Sequence, residues 1–173
     1  MVQGKIVPSA GTPQPSYNYH ADMGNIDLPM YLSSGVVTEV APLMLMLNYH
    51  YFDVLFIEEP EIGLHPELQL AMARVLIRLW HAGATVFFTT HSDTILQHIN
   101  NMIKLHERTK ADRELLMERF GYGEADLLDP KEVSMYQFDV SGETGRSGIR
   151  RLTSNEYGFE VPTFNNALKK RQP

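Results

Sequence analysis

The chain has 173 residues, 43% of them hydrophobic, with eight Tyr and eight Phe, which suits one domain with a real core and excludes a disordered segment. A net charge of −6 excludes a globally basic nucleic-acid binder, and the absence of cysteine excludes disulfides, thiolate zinc sites and cysteine nucleophiles. The first residues hold no apolar core of signal-peptide type, and the longest apolar runs fall far short of the roughly 18 residues that cross a membrane. No membrane segment and a cytoplasmic setting are therefore expected.

In chain order, residues 1–30 are rich in Pro, Gly, Asn and Tyr, with strand-like pieces at "GKIVPS" and "SYNYHA", and read as an irregular hairpin lead-in. In "VVTEVAPLMLMLNYHY" (36–51), Val36, Val37, Val40, Leu43, Met44 and Leu47 recur at helical spacing, with Pro42 expected to bend the helix. "DVLFIEE" (53–59) is an apolar run with a hard polar end, the pattern of a strand buried on both faces. A helix follows over 66–83, opened by Pro66 and striped by Leu68, Met72, Val75, Leu76 and Leu79. "ATVFFTT" (84–90) predicts a second buried strand, and "SDTILQHINNMIKL" (92–105) a helix capped by Ser92 or Asp93. Strand, helix, strand, helix in this order implies a parallel α/β layer. From residue 106 helix and loop are expected, then a strand over 133–140 turned by "SGETGRSG" into "IRRLTS" as a hairpin, and a last short helix in "VPTFNNALKKR".

The chemistry gathers at Glu58-Glu59-Pro60-Glu61, three carboxylates within four residues. Ligands of parallel sheets collect at the carboxyl ends of strands. A hard cation with oxygen ligands, Mg2+ above all, would relieve the repulsion and hold a nucleotide phosphate. One carboxylate would then face the metal and the next would polarise an attacking water. The plain alternative is a solvated acidic turn capping a strand. His91, in "TTHS" at the end of the next strand, is expected beside Glu59, where it would meet a γ-phosphate or place the water; otherwise it is a capping or core histidine. Ser33, Ser34 and Gly35, just before the first helix, offer free N–H groups to an anion or serve as an ordinary N-cap.

The order "LSSGVVTEVAPL", "VLFIEEPEIGLHPELQ", "VFFTTHS" resembles the C-terminal half of an ABC-type AAA ATPase head, nearest in character to OLD-like (overcoming-lysogenisation) ATPases and their RecF/SMC relatives. The resemblance covers roughly residues 20–105, and the Tyr/Pro-rich start and the closing "EVPTFNNALKK" also suit it. It implies an α/β, P-loop NTPase-like parallel-sheet half with flanking helices and a C-terminal hairpin: one partial domain over 1–173, with a 31–105 core and a 106–173 helix and hairpin region. Residues 32–36 look like the signature motif, so Ser33, Ser34 and Gly35 would touch the nucleotide bound by the opposite protomer. Residues 54–59 look like Walker B, with Glu58 in the metal position where many relatives have Asp, and Glu59 as the catalytic carboxylate. "EIGLHP" (61–66) looks like the D-loop, Glu61 being part of the turn into it, and His91 looks like the H-loop switch histidine.

No G-x-x-x-x-G-K-S/T loop occurs in the sequence. "SGETGRSG" carries Arg where Lys is needed and leads into a strand rather than a helix. The expectation is a C-terminal part that binds ATP poorly by itself and needs an N-terminal Walker A half. With it, the head would pair with a second ATPase head around ATP and Mg2+, a homodimer being expected, in DNA-related or phage-defence work beside a DNA or nuclease partner. The alternative is a non-catalytic interaction module or half-head that complements a partner ATPase. A weaker third reading, a metal-dependent nuclease on Glu58, Glu59 and Glu61, lacks an Asp-x-Asp pair.

Overall fold

The computed structural model describes residues 4–9, 16–49, 52–140, 146–155 and 158–161. Strands β1 (Gly4–Pro8), β2 (Tyr17–Ala21) and β3 (Ile26–Pro29) form an antiparallel meander in the order β1-β2-β3. The lead-in is thus more regular than its composition suggests, because alternating Tyr, Ile, Val and Leu side chains suit a pleated surface. A short 3-10 turn (Met30–Leu32) delivers the chain to helix α1 (Gly35–Tyr49). Pro42 lies inside α1 with its ring exposed, removing one interior N–H donor from the helix.

The central unit is β4 (Val54–Glu58), helix α2 (Pro66–His81), β5 (Thr85–Thr89) and helix α3 (Asp93–His106). Strands β4 and β5 pair in parallel from Val54 opposite Thr85 to Glu58 opposite Thr89, so their carboxyl ends lie side by side. Helix α2 separates two apolar clusters. Its Met72 and Leu76 join Leu43 of α1, Leu55 of β4 and Leu64, the whole predicted stripe packing there. Its Ala73 and Ile77 join Ile95, Ile99, Met102 and Ile103 of α3 and, from farther along, Leu127, Leu128, Leu152 and Phe159. Each buried Leu or Ile contributes about 1.5–3 kcal/mol relative to exposure, so α2 is the element that holds both halves together.

The strands are not buried on both faces. Leu55 and Ile57 of β4 turn toward α1 and α2, whereas Val54 and Phe56, with Phe87 of β5, are exposed. Side chains alternate along a strand, and among the described residues helices cover only one side of this two-stranded sheet.

Helix α4 (Lys110–Phe120) begins at Thr109, whose hydroxyl accepts from the Asp112 N–H, and ends at Gly121 in the left-handed conformation. Strands β6 (Tyr136–Val140) and β7 (Ser147–Arg151) form the expected antiparallel hairpin. Its turn, 141–145, lies outside the described residues, as does 162–173, where the last short helix is expected. Two further strands, β8 (Ser154–Asn155) and β9 (Gly158–Phe159), pair with each other, and Asn100 of α3 clamps β9 by donating to Phe159 O and accepting from Phe159 N. The segment after α4 is tied to α2 by Asp126. This fully buried carboxylate accepts from Arg78 Nε at 2.7 Å, Arg74 Nη2 at 2.8 Å and Gly123 N at 2.9 Å. Burial opposes its ionisation, but these hydrogen bonds outweigh burial and hold the carboxyl well below the usual carboxylate range. No described helix is long and apolar enough to cross a membrane.

Candidate nucleotide site

The parallel pairing of β4 and β5 brings Glu58, Glu59 and His91 to one end of the sheet, as the motif order predicts. Glu58 closes β4 on the same face as Phe56, with its side chain exposed. Glu59 follows with its N–H donating to Thr89 O at 3.1 Å and to Thr89 Oγ1 at 3.2 Å. Its φ is +45°, in the left-handed region that a residue with a side chain adopts only at a cost of about 1–2 kcal/mol. Such strain, held in place by surrounding hydrogen bonds, is characteristic of functional positions. The left-handed step turns the chain out of the strand, and the turn closes with Ile62 N donating to Glu59 O and Leu64 N donating to Glu61 O, both at 3.0 Å.

His91 projects from the end of β5 with its side chain 87% exposed, and its Nε2 lies 3.6 Å from Glu59 Oε1. That separation exceeds a hydrogen bond. Among the described residues no Lys or Arg forms an ion pair with Glu58 or Glu59; His91 alone approaches them. Two adjacent acceptor-only carboxylates, Glu58 without a basic partner among the described residues and Glu59 with only His91 near, fit a hard cation, and one or two carboxylates completed by phosphate oxygens and water is how Mg2+ is ordinarily held. No group of three His, Asp or Glu side chains among the described residues is arranged for a metal.

Glu61 explains why. Its carboxylate is turned inward and buried, and its Oε1 accepts from Thr90 Oγ1 and from the His91 N–H, both at 2.7 Å. A ring of hydrogen bonds continues from there. The Ser92 N–H donates to Thr90 Oγ1 at 2.9 Å, Ser92 Oγ donates to Gln69 Oε1 at 2.6 Å, and Gln69 Nε2 donates to Leu64 O at 2.9 Å. The 61–64 turn and the 90–92 segment are thus bound into one unit, and Ser92 Oγ also caps α3 by accepting from Ile95 N. This arrangement removes Glu61 from any three-carboxylate nuclease centre.

The contribution of Glu61, Gln69, Thr90 and Ser92 was not legible as chemistry in the sequence. The available signals were hydroxyl residues on either side of His91 and a polar Gln69 next to the apolar stripe of α2.

Ser33, Ser34 and Gly35 stand at the start of α1. Ser34 caps the helix, its carbonyl accepting from Thr38 N at 3.1 Å and its hydroxyl lying 3.4 Å from Val37 N, while Gly35 is exposed with open space where a Cβ would sit. Ser34 thus works as the N-cap, and the Ser33 N–H is taken by Met30 O at 3.1 Å. No hydrogen bond or ion pair among the described residues links them to Glu58, Glu59 or His91. The 60–65 turn does approach α1 at Gly63, whose φ is +71°. A Cβ there would lie 3.3 Å from Glu39 Cγ, so both conformation and space favour glycine.

The fold and this strand-end site define an α/β protein of P-loop NTPase-like type. Residues 11–96, which contain every motif residue named above, match the AAA ATPase domain family model. The chain is 25% identical over 117 residues to the energy-coupling factor transporter ATP-binding protein EcfA2 of Thermotoga maritima, covering 67% of this chain and 43% of that relative's length. Its fold is similar to a solved structure described as the structural biochemistry of ATP-driven dimerization and DNA-stimulated activation of SMC ATPases. That likeness has a TM-score of 0.57 and 11% identity, and covers 98% of this chain and 84% of the other. The family match and the EcfA2 likeness support an ABC-type ATPase sequence, and the solved structure supports the fold.

Proposed function

We propose that this chain forms the Walker B, D-loop and H-loop part of an ATPase head that binds and hydrolyses ATP when closed against a second head. The observation that carries the reading is the pairing of Glu59 and His91 at adjacent strand ends, with Glu59 strained and Glu58 beside it without a basic partner. When bound with the nucleotide, Mg2+ would supply neutralisation of phosphate charge. Glu58 would hold the metal shell. Glu59 accepts a hydrogen bond from the attacking water and aligns it, and His91 meets the γ-phosphate while remaining within reach of Glu59. The Ser34 and Gly35 N–H groups, at an exposed helix start, with the Ser33 hydroxyl beside them, would face the nucleotide of the opposite head, the Ser33 N–H being held by Met30 O; this suits their lack of direct links to Glu59 within one chain.

The phosphate-gripping lysine loop has no counterpart in this sequence, so the 173 residues alone bind ATP poorly and act with a Walker A half. A homodimer of completed heads in the cytoplasm, switching between open and closed states and serving a DNA or nuclease partner in DNA-related or phage-defence work, is the assembly we favour. The test joins this chain to a Walker A half and compares the parent with Glu59→Gln. Loss of hydrolysis with retention of ATP-dependent head closure is expected; hydrolysis at the parent rate overturns the role of Glu59. If the joined protein closes on ATP but the parent itself never hydrolyses it, the chain is instead a non-catalytic half-head.

A further inference from the structure

We infer that Glu61 is a positioning residue that sets where His91 stands relative to Glu59; this rests on the ATPase reading for its consequence and on hydrogen-bond geometry for its existence. Nothing in the described structure packs around the His91 ring, which is largely in solvent. The backbone at residues 90–91 therefore sets the point from which the ring turns toward Glu59. That backbone is gripped by one atom, Glu61 Oε1, which takes both the His91 N–H and the Thr90 hydroxyl. Glu61 in turn follows Glu59 by two residues in the same closed turn, so the acid and the histidine are referenced to one short segment.

The grip is costly. Glu61 is buried, and its second oxygen, Oε2, finds no hydrogen-bond partner among the described residues. A buried carboxylate oxygen left unpaired is destabilising, and a fold needing only to close this turn would manage with a neutral side chain. The hydrogen-bond ring through Thr90, Ser92, Gln69 and Leu64 gives the arrangement two ends. One faces Glu59 and His91, and the other is the 61–64 turn, whose Leu64 packs in the cluster with Leu43 of α1.

The experiment compares Glu61→Gln, Glu61→Ala and Thr90→Val with the parent. Gln keeps an acceptor oxygen in place and Ala removes it. In the 173-residue chain, amide exchange at His91 should quicken about tenfold in Glu61→Ala, the equivalent of one hydrogen bond, and stay near the parent in Glu61→Gln. The His91 ring signals should move in Glu61→Ala and Thr90→Val and remain in place in Glu61→Gln. In the protein joined to its Walker A half, Glu61→Ala should lower kcat by about tenfold with KM for ATP unchanged, and Glu61→Gln should restore the parent kcat. Unchanged His91 exchange and ring signals in Glu61→Ala overturn the inference, as does a Glu61→Gln variant as impaired as Glu61→Ala. The ATPase reading fails separately, if the joined parent hydrolyses no ATP that Glu59→Gln abolishes; the exchange and ring measurements then decide the positioning role by themselves.

Discussion

Phe56 of β4 and Phe87 of β5 stand opposite one another in the parallel register and stack with ring centroids 4.7 Å apart and planes 8° from parallel, Phe56 being 75% exposed. Parallel sheets ordinarily carry helices on both faces, and here α1 and α2 cover one. The stacked pair contributes only its cross-strand contact to the stability of this chain, roughly 0.2–1 kcal/mol. Phe56→Thr with Phe87→Thr should therefore lower the urea midpoint only slightly while reducing self-association and binding of a hydrophobic dye. A loss of several kcal/mol in urea unfolding would show that this face is packed in solution.

Glu59 holds its left-handed backbone at a cost that glycine does not bear. Glu59→Gly should stabilise the chain by about 0.5–1 kcal/mol after allowing for the greater freedom of glycine in the unfolded state, while removing the carboxylate proposed to align the attacking water. Glu59→Ala removes the same carboxylate and keeps the strain, so it serves as the control. The two variants, compared by urea unfolding, should differ with glycine the more stable. Identical midpoints would mean that the turn relaxes when the carboxylate goes.

The sequence was informative where periodicity is strong. The runs around Leu55 and Val86, bounded by Glu58 and Thr89, and the stripe from Leu68 to Leu79 place β4, β5 and α2 within a residue or two. From these the neighbourhood of Glu59 and His91 follows, since parallel strands in register bring their ends together. The open face of the sheet was not legible, because an apolar run looks the same whether one face or two are covered. Nor was the role of Glu61, which depends on a partner 29 residues away, or that of Asp126, whose arginines lie 48 and 52 residues before it. Polar contacts across such separations leave no periodic trace.

His98 of α3 is buried, and its Nε2 has no hydrogen-bond partner among the described residues. Its ring lies 5.8 Å from that of Tyr122, over which Arg74 sits at 5.1 Å, and Arg74 leads on to Asp126. Burial and then the positive charge of Arg74 lower the histidine pKa, with Asp126 acting weakly in the opposite sense. The native state therefore excludes a proton that the unfolded chain binds below its ordinary pKa of about 6.5. Stability should be full above that pH and fall as the pH drops from about 6.5 toward the depressed native value. His98→Leu should flatten that limb in urea titrations at several pH values. An unchanged limb would assign it to another group.

Asp126 shifts in the direction usual for a paired acid and governs a lower pH window. Its carboxyl is held well below its ordinary range by Arg78, Arg74 and the Gly123 N–H, so the native state stays ionised where the unfolded chain takes up a proton. The resulting stability is complete above the unfolded pKa of about 3.9 and is lost as the pH falls below it toward the native value. Breaking a buried ion pair by removing one partner costs about 3–5 kcal/mol. The low end applies here, because Arg74 and Arg78 are partly exposed and recover water when released. Asp126→Asn should therefore destabilise the chain by about 3 kcal/mol at neutral pH and remove most of its acid sensitivity below pH 4, while the His98 limb persists and deepens slightly as the weak pull of Asp126 on that histidine is lost. Since Asp126 fastens the 123–128 segment to α2, amide exchange in that segment should rise more than exchange in β4 and β5. Uniform acceleration throughout the chain would instead show that the Arg74–Asp126–Arg78 cluster supports the whole fold rather than this one junction.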